Sequence, residues 1–232
     1  MDKPVVVIGV PSHDGTMCLG GANALIDAAT CGIDVGFQFL TGSFLTKSFN
    51  ELLCNALNNR EKYGFTHFLL LHADIAVKTR NWVGKMLELM DANQADVISA
   101  VSPIKSDLGV TSTGIELGDP FPIKRFTMKE LSEMSKTFTH EKIMINTGVM
   151  LVDIRKPWIE KARFTIEDEI LKKDGVFSPR SLSEDWHFSR MARGLGAKLF
   201  ATTEIELDHW GVKSFSNQGV WGTVAKEVGP NG

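Results

Sequence analysis

Short runs of β-branched and aliphatic residues take turns with stretches whose apolar positions recur at helical spacing. Residues 4–10 (PVVVIGV) predict a strand, closed by the turn formers Pro11, Ser12, His13, Asp14 and Gly15. A helix over about 22–29 and a second strand over 35–40 follow. Phe49, Leu52, Leu53, Ala56 and Leu57 share one helical face, and residues 68–71 (FLLL) are apolar without alternation, as in a strand covered on both sides. Trp82, Val83, Met86, Leu87, Leu89 and Met90 form another amphipathic face before a strand at 97–101. Strand and helix in turn predict an α/β architecture of the doubly wound kind, a mostly parallel sheet flanked by helices.

Beyond Pro103 the rhythm breaks. Gly, Pro, Ser and Thr gather over 102–122, and Thr127-Met-Lys-Glu130 has the form of a capping box opening a short helix. Residues 143–154 read as a strand interrupted at Asn146-Thr147-Gly148, 156–162 as a brief helix with Pro157 in its first turn, and 174–179 as loop. A helix over 183–193 leads into strands at 198–201 and 205–207. The tail from 214, rich in Gly, Ser and Asn, is expected to be mobile. With no repeat and no clear linker, the chain is expected to form one domain over 1–232, with a first half of about 1–105 and a second of about 106–213.

At 232 residues the chain can bury a large core without disulfides or structural metals. Hydrophobic residues make up 43% and charged ones 23%, which sets aside disorder, collagen-like repeats and coiled coil. A formal charge of -3 offers no excess of cations to a polyanion, so charge does not support a nucleic-acid partner unless a local basic groove exists. No apolar stretch approaches the roughly 20 residues of a membrane span, and no long apolar centre of a secretory signal is present. A cytoplasmic protein is expected. Cys18, Cys31 and Cys54, odd in number and not closely paired, read as reduced, mostly buried thiols.

In open α/β sheets ligands gather beyond the carboxyl ends of strands, which singles out the loops 11–15, 72–74 and 102–105. His72 and Asp74, one residue apart, leave on the same face if the backbone stays extended, and together would suit a cation. The plainer reading makes Asp74 a turn cap and His72 a packed strand end. Asp185, three residues before Phe188 and seven before Ala192, falls at the amino-terminal edge of an inward helix face. The helix dipole there would keep it ionised and ready to take a proton from a hydroxyl. Glu184 also completes a capping box with Ser181. His209 follows an apolar strand and precedes Trp210-Gly211, while His67, His140 and His187 read as surface or core fillers. The glycine-rich signatures of P-loop and dinucleotide sites and the serine-hydrolase elbow are missing.

Taken in order, VVVIGVPSHDG, FLLLHADIAV, NTGVMLV and the long segment from SEDWHFSRMARG to ELDHWG resemble the GT-A-fold glycosyltransferases, in particular the family 2-like group. The resemblance spans about 5–211. It implies a GT-A fold, with a Rossmann-like mixed sheet, mostly parallel and flanked by helices. It further implies transfer of a sugar from a nucleoside-diphosphate sugar to an acceptor hydroxyl, assisted by Mn²⁺ or Mg²⁺ and inverting at the anomeric carbon. Pro11, Ser12, Asp14, Asn50, Ala73, Thr147 and Gly148 would then bind the nucleotide sugar. Asp74 matches the last Asp of the family's DxD signature and His209 its later metal-binding histidine, while His72 stands in place of the first Asp. Asp185 matches the base, with Glu184 beside it. The implied partners are a nucleotide-sugar donor and a saccharide, protein or modified-base acceptor. The alternatives are a nucleotide-sugar-binding module with weakened catalysis, indicated by His72, and a glycosyltransferase acting on a modified DNA base. A nucleotidyltransferase is a third reading, which lacks a basic phosphate loop after the first strand.

Overall fold

The computed structural model describes residues 3–118 and 123–223. The first part alternates as expected: β1 (Val5–Ser12), α1 (Leu19–Thr30), β2 (Asp34–Thr41), α2 (Leu45–Tyr63), β3 (His67–Leu71), a short β4 (Ile75–Val77), α3 (Trp82–Asn93) and β5 (Val97–Ala100). The less regular middle holds β6 (Val110–Glu116), β7 (Ile123–Thr127), α4 (Met128–Glu133), β8 (Thr137–Phe138), β9 (Ile143–Met144) and β10 (Val149–Asp153). A 3-10 turn at Pro157–Lys161 leads to β11 (Glu167–Lys173), β12 (Val176–Leu182), α5 (Glu184–Gly194), β13 (Leu199–Thr202), β14 (Leu207–Trp210) and β15 (Ser214–Ser216).

The central sheet has the order β2-β1-β3-β10-β5-β13-β8. β10 runs antiparallel to both of its neighbours and β8 antiparallel to β13, while the other neighbouring pairs are parallel. This is the mixed, mostly parallel sheet flanked by helices that the sequence predicts. The period of two along each strand builds two core layers. Val7, Phe68, Leu70, Met150 and Val152 face α2 and α5, packing with Phe49, Leu52, Leu53, Ala56, Phe188 and Ala192. Val6, Ile8, Leu69, Leu71, Val149 and Leu151 face the other way, onto Ala24 and Ala28 of α1 and Trp82, Val83 and Met86 of α3. Each such large side chain contributes roughly 1.5–3 kcal/mol on burial. At Gly20 a Cβ would sit 2.3 Å from Ala76 Cβ, so α1 can lie on β4 only with glycine there.

The capping box at Thr127 forms in full, with Thr127 Oγ1 accepting from the Glu130 N–H and the Glu130 carboxylate accepting from the Thr127 N–H. Other expectations need correction. The cap of α5 is Ser183, not Ser181, which lies in β12 with its hydroxyl on Asp168. Residues 174–179 belong to the β11–β12 hairpin around a left-handed Asp174-Gly175 turn. Both strands are largely solvent-exposed, so no buried face imprints an alternation on the sequence. The last expected strand lies at Leu207–Trp210 rather than 205–207. From 214 the chain is pinned as far as described: β15 pairs with β14, and buried Asn217 donates to the carbonyls of Val101 and Ile205. Residues 119–122 and the tail beyond 223 lie outside the described residues. Cys54 is exposed rather than buried.

Candidate active site

The reversed strand β10 begins where β3 ends. Val149 pairs with Leu71, which sets Thr147 and Gly148, just ahead of β10, beside residues 72–74. The His72 N–H donates to the Gly148 carbonyl at 2.9 Å. A Cβ on Gly148 would sit 2.5 Å from Ile75 Cδ1, so a larger residue there would have to push the buried Ile75 side chain aside. The backbone turns at 72–75 instead of staying extended, with the Ile75 N–H donating to the His72 carbonyl at 3.1 Å. His72 and Asp74 accordingly take different partners.

His72 Nε2 lies 3.3 Å from Thr147 Oγ1. Thr147 donates both its N–H, at 3.0 Å, and its hydroxyl to a single oxygen of Asp185. With that hydroxyl proton directed at an ionised Asp185, Thr147 Oγ1 can only accept from His72, which fixes the Nε2–H tautomer. Burial pushes the His72 imidazole down to about 4, so the ring is neutral at pH 7. Its other face meets Phe49, ring centroids 5.0 Å apart. Phe49 meets Phe164 at 5.3 Å, and Phe164 stacks on Phe188 of α5 at 4.7 Å. This aromatic series ties the helix carrying Asp185 to the loop carrying His72.

Burial pushes the Asp185 carboxyl up, opposed by the two Thr147 hydrogen bonds and the charges of Arg125 and His209. Glu184 is pushed up to about 7, by burial first and then by the charge of Asp185. Arg125, on β7, lies with its guanidinium 4.5 Å from the Trp186 ring centroid and donates to the Thr111 carbonyl at 3.1 Å. Trp186 in turn donates to the Ser112 carbonyl at 2.9 Å.

A second pairing delivers His209. β14 runs antiparallel to β4, with His209 opposite Ile75, and the Trp210 N–H donates to the Asp74 carbonyl at 2.8 Å. His209 Nδ1 donates to the Pro103 carbonyl at 2.8 Å, since a carbonyl only accepts. Its Nε2 faces Asp74 Oδ2 at 3.5 Å. Lys105, two residues beyond Pro103, places its ammonium on the same Asp74 oxygen. Burial raises the Asp74 carboxyl, but the Lys105 ammonium and the neighbouring His209 imidazole outweigh it and hold the group well below the usual carboxylate range.

The nucleotide-side residues line an open cleft of about 260 Å³, with Pro11, Ser12, Asp14, Cys18, His72, Ala73 and Asp74 in its walls. Ser12 Oγ donates to the Thr16 carbonyl at 2.7 Å, and Asp14 accepts from the Thr16 N–H at 3.0 Å, so this loop is closed on itself. Asn50 stands apart from the cleft. Its amide donates to the Phe164 carbonyl at 2.8 Å and accepts from the Phe164 N–H at 2.9 Å, which makes it a brace for the aromatic series. A larger hollow of about 500 Å³ lies along β2, walled by Val35, Phe37, Tyr63 and Phe65, and contains none of the convergent residues.

The donor set fits a divalent ion poorly. His72 turns Nε2 to Thr147, and no group of three or more His, Cys, Asp or Glu side chains arranged to hold a metal occurs among the described residues. Asp74 supplies the one carboxylate at the turn; its Oδ2 already carries an ammonium, and its Oδ1 is buried with no hydrogen-bond partner. A divalent and a univalent cation about 4 Å apart repel by about 8 kcal/mol at an effective dielectric of 20. An ion on Oδ2 would have to displace Lys105.

Pro11, Ser12, Asp14, His72, Ala73, Asp74, Thr147, Gly148, Glu184, Asp185 and His209 are thus drawn to one end of the sheet, and Asn50 is not. Arg125 is an addition that the sequence reading missed, and Lys105, at the end of the loop 102–105 that it singled out, was given no role there. Lys105 carried a faint signal, because it lies in a loop following β5, whereas nothing near Arg125 marks it.

No protein-family model matches the sequence, and no curated protein matches it. Among solved structures, the chain is similar to A197 from STIV, with a TM-score of 0.61 and 12% identity, over 97% of this chain and 98% of that one. It also aligns with a glycosyltransferase involved in the glycosylation of the major capsid of PBCV-1, with a TM-score of 0.38 and 15% identity, over 68% of this chain and 64% of that one. A third alignment is with UDP-glucose pyrophosphorylase complexed with UDP-glucose, with a TM-score of 0.43 and 9% identity, over 91% of both chains. The first of these establishes a shared fold along nearly the whole length of both chains.

Proposed function

We propose that this protein is a glycosyltransferase that moves a sugar from a nucleoside-diphosphate sugar to an acceptor hydroxyl, with Asp185 as the base. The observation that carries this reading is the link between Asp185 and the strand-end cleft. One Asp185 oxygen is held by Thr147, and Thr147 is bonded to His72 in the wall of that cleft.

The donor's nucleotide lies along Pro11, Ser12, Asp14 and Ala73, and Thr147 and Gly148 shape the sugar and acceptor side. A carboxylate whose pKa is raised by burial is poised nearer neutral pH, where it can accept a hydroxyl proton. In the reaction the acceptor O–H proton passes to Asp185, the acceptor oxygen bonds to the anomeric carbon, and the carbon–phosphate oxygen bond breaks. The nucleoside diphosphate leaves with that electron pair. Attack from the side opposite the leaving group inverts the anomeric configuration. Glu184, pushed up to about 7, sits beside the base as a largely protonated neighbour in mildly acidic solution. No described helix is long and apolar enough to cross a membrane, and a cytoplasmic location belongs to this reading.

A thermal-shift screen of nucleotide sugars, run in chelator and again with Mn²⁺ or Mg²⁺, tests the donor assignment. Stabilisation by one nucleotide sugar, with release of its nucleoside diphosphate when an acceptor is added, is the expected result. Stabilisation without release from any saccharide, protein or modified-base acceptor would leave a binding module. The absence of stabilisation by every donor would end the transferase reading.

A further inference from the structure

Two segments remote in the sequence, 72–74 and 209–211, converge on the loop that carries Lys105. Asp74 takes its ammonium, and Pro103, two residues before it, is fixed by the His209 imidazole. Gly211 lies under its aliphatic stem, where a Cβ would sit 3.1 Å from Lys105 Cδ. The ammonium is thus carried on a built support rather than on a free surface side chain. Lys105 and Asp74 keep 37% and 40% of their side-chain surface exposed, so the pair is open to a ligand, and an ammonium has three donors of which Asp74 needs one. Asp74 also forms part of the wall of the strand-end cleft.

We propose that Lys105 is the cation of this cleft: its ammonium, held by Asp74, binds the diphosphate of the donor and neutralises the departing nucleoside diphosphate, so that the protein needs no divalent ion. The inference rests on the transferase reading above and deepens it. A lysine suits the task because its ammonium acts as a compact point charge toward phosphate oxygens. No proton need move at this end of the reaction. The electron pair of the breaking carbon–oxygen bond goes to the diphosphate oxygen, and the fixed positive charge offsets it. The same arrangement accounts for His72 in place of an acid: with no divalent ion to ligate, that position can serve Thr147 instead.

Calorimetric titration with UDP, GDP, ADP and CDP, each in EDTA and again in Mn²⁺, tests the proposal on the wild-type chain and on Lys105→Met and Lys105→Arg. Thermal unfolding of each variant verifies its fold. At least one nucleoside diphosphate should bind the wild type in EDTA about as tightly as in Mn²⁺. Lys105→Met should weaken that binding about 10- to 100-fold, the range for losing a hydrogen bond to a charged group. Lys105→Arg should retain most of it. Binding that requires Mn²⁺ and is unchanged in Lys105→Met would overturn the role of Lys105 and leave the transferase reading standing. Failure of every nucleoside diphosphate to bind in either condition would overturn the reading and the proposal together.

Discussion

Thr147 donates its backbone N–H and its hydroxyl to the same oxygen of Asp185, across a separation of 38 residues. These bonds oppose the upward push of burial on that carboxyl. In Thr147→Val the N–H bond remains and the hydroxyl bond is lost. The Asp185 pKa should then rise further, because the lost hydroxyl bond favoured the ionised form. A base must be ionised to act, so the acid limb of kcat/KM should move to higher pH while the high-pH plateau survives. An unmoved or downward-shifted limb would show that the hydroxyl does not support the ionised form.

Asp185→Asn keeps the shape of the side chain and removes its capacity to take a proton. Transfer should fall about 100- to 10,000-fold, the usual contribution of a general base. Binding of the nucleoside diphosphate should change little, because Asp185 is not among the residues walling the nucleotide cleft. Near-normal turnover in this variant removes Asp185 from the mechanism.

Glu184 carries a pH-dependent cost. Its carboxyl is pushed from an ordinary 4.5 up to about 7 by burial and by Asp185. Between those values the folded chain binds more protons than the unfolded one, so stability falls as pH rises through this window, and above it the full cost persists. Glu184→Gln removes the ionisation. The melting temperature of the variant should therefore gain on the wild type between pH 5 and pH 8, and parallel Tm–pH curves would contradict the burial argument.

Asn50 predicts a structural phenotype. Its amide makes both hydrogen bonds to Phe164, the middle ring between Phe49 and Phe188. Asn50→Ala strands a backbone donor and acceptor and should destabilise the fold by about 1–3 kcal/mol. Denaturant unfolding measures the loss. A weakened nucleotide affinity with unchanged stability would instead restore Asn50 to the binding site.

Local patterns carried much of the architecture. The apolar runs at 68–71 and 97–101, the helical face from Phe49 to Ala56 and the Thr127 capping box are settled by neighbours a few residues away, and they stand in the structure as read. The inward placement of Asp185 was legible for the same reason, since its offset from Phe188 fixes its side of α5. Other features have no local cause. The direction of β10 decides that Thr147 meets His72, and strand direction leaves no trace in a fully buried apolar run. Pairing of β14 with β4 decides that His209 faces Asp74, and the loop after β5 decides that Lys105 reaches the same oxygen. By itself the sequence determined the layers, the helix faces and the strand-end loops, because periodicity and capping act within a few turns of chain. Only the tertiary structure decided which of those loops meet and which charge lies against Asp74, because hydrogen bonds and ion pairs between remote segments depend on strand order and direction.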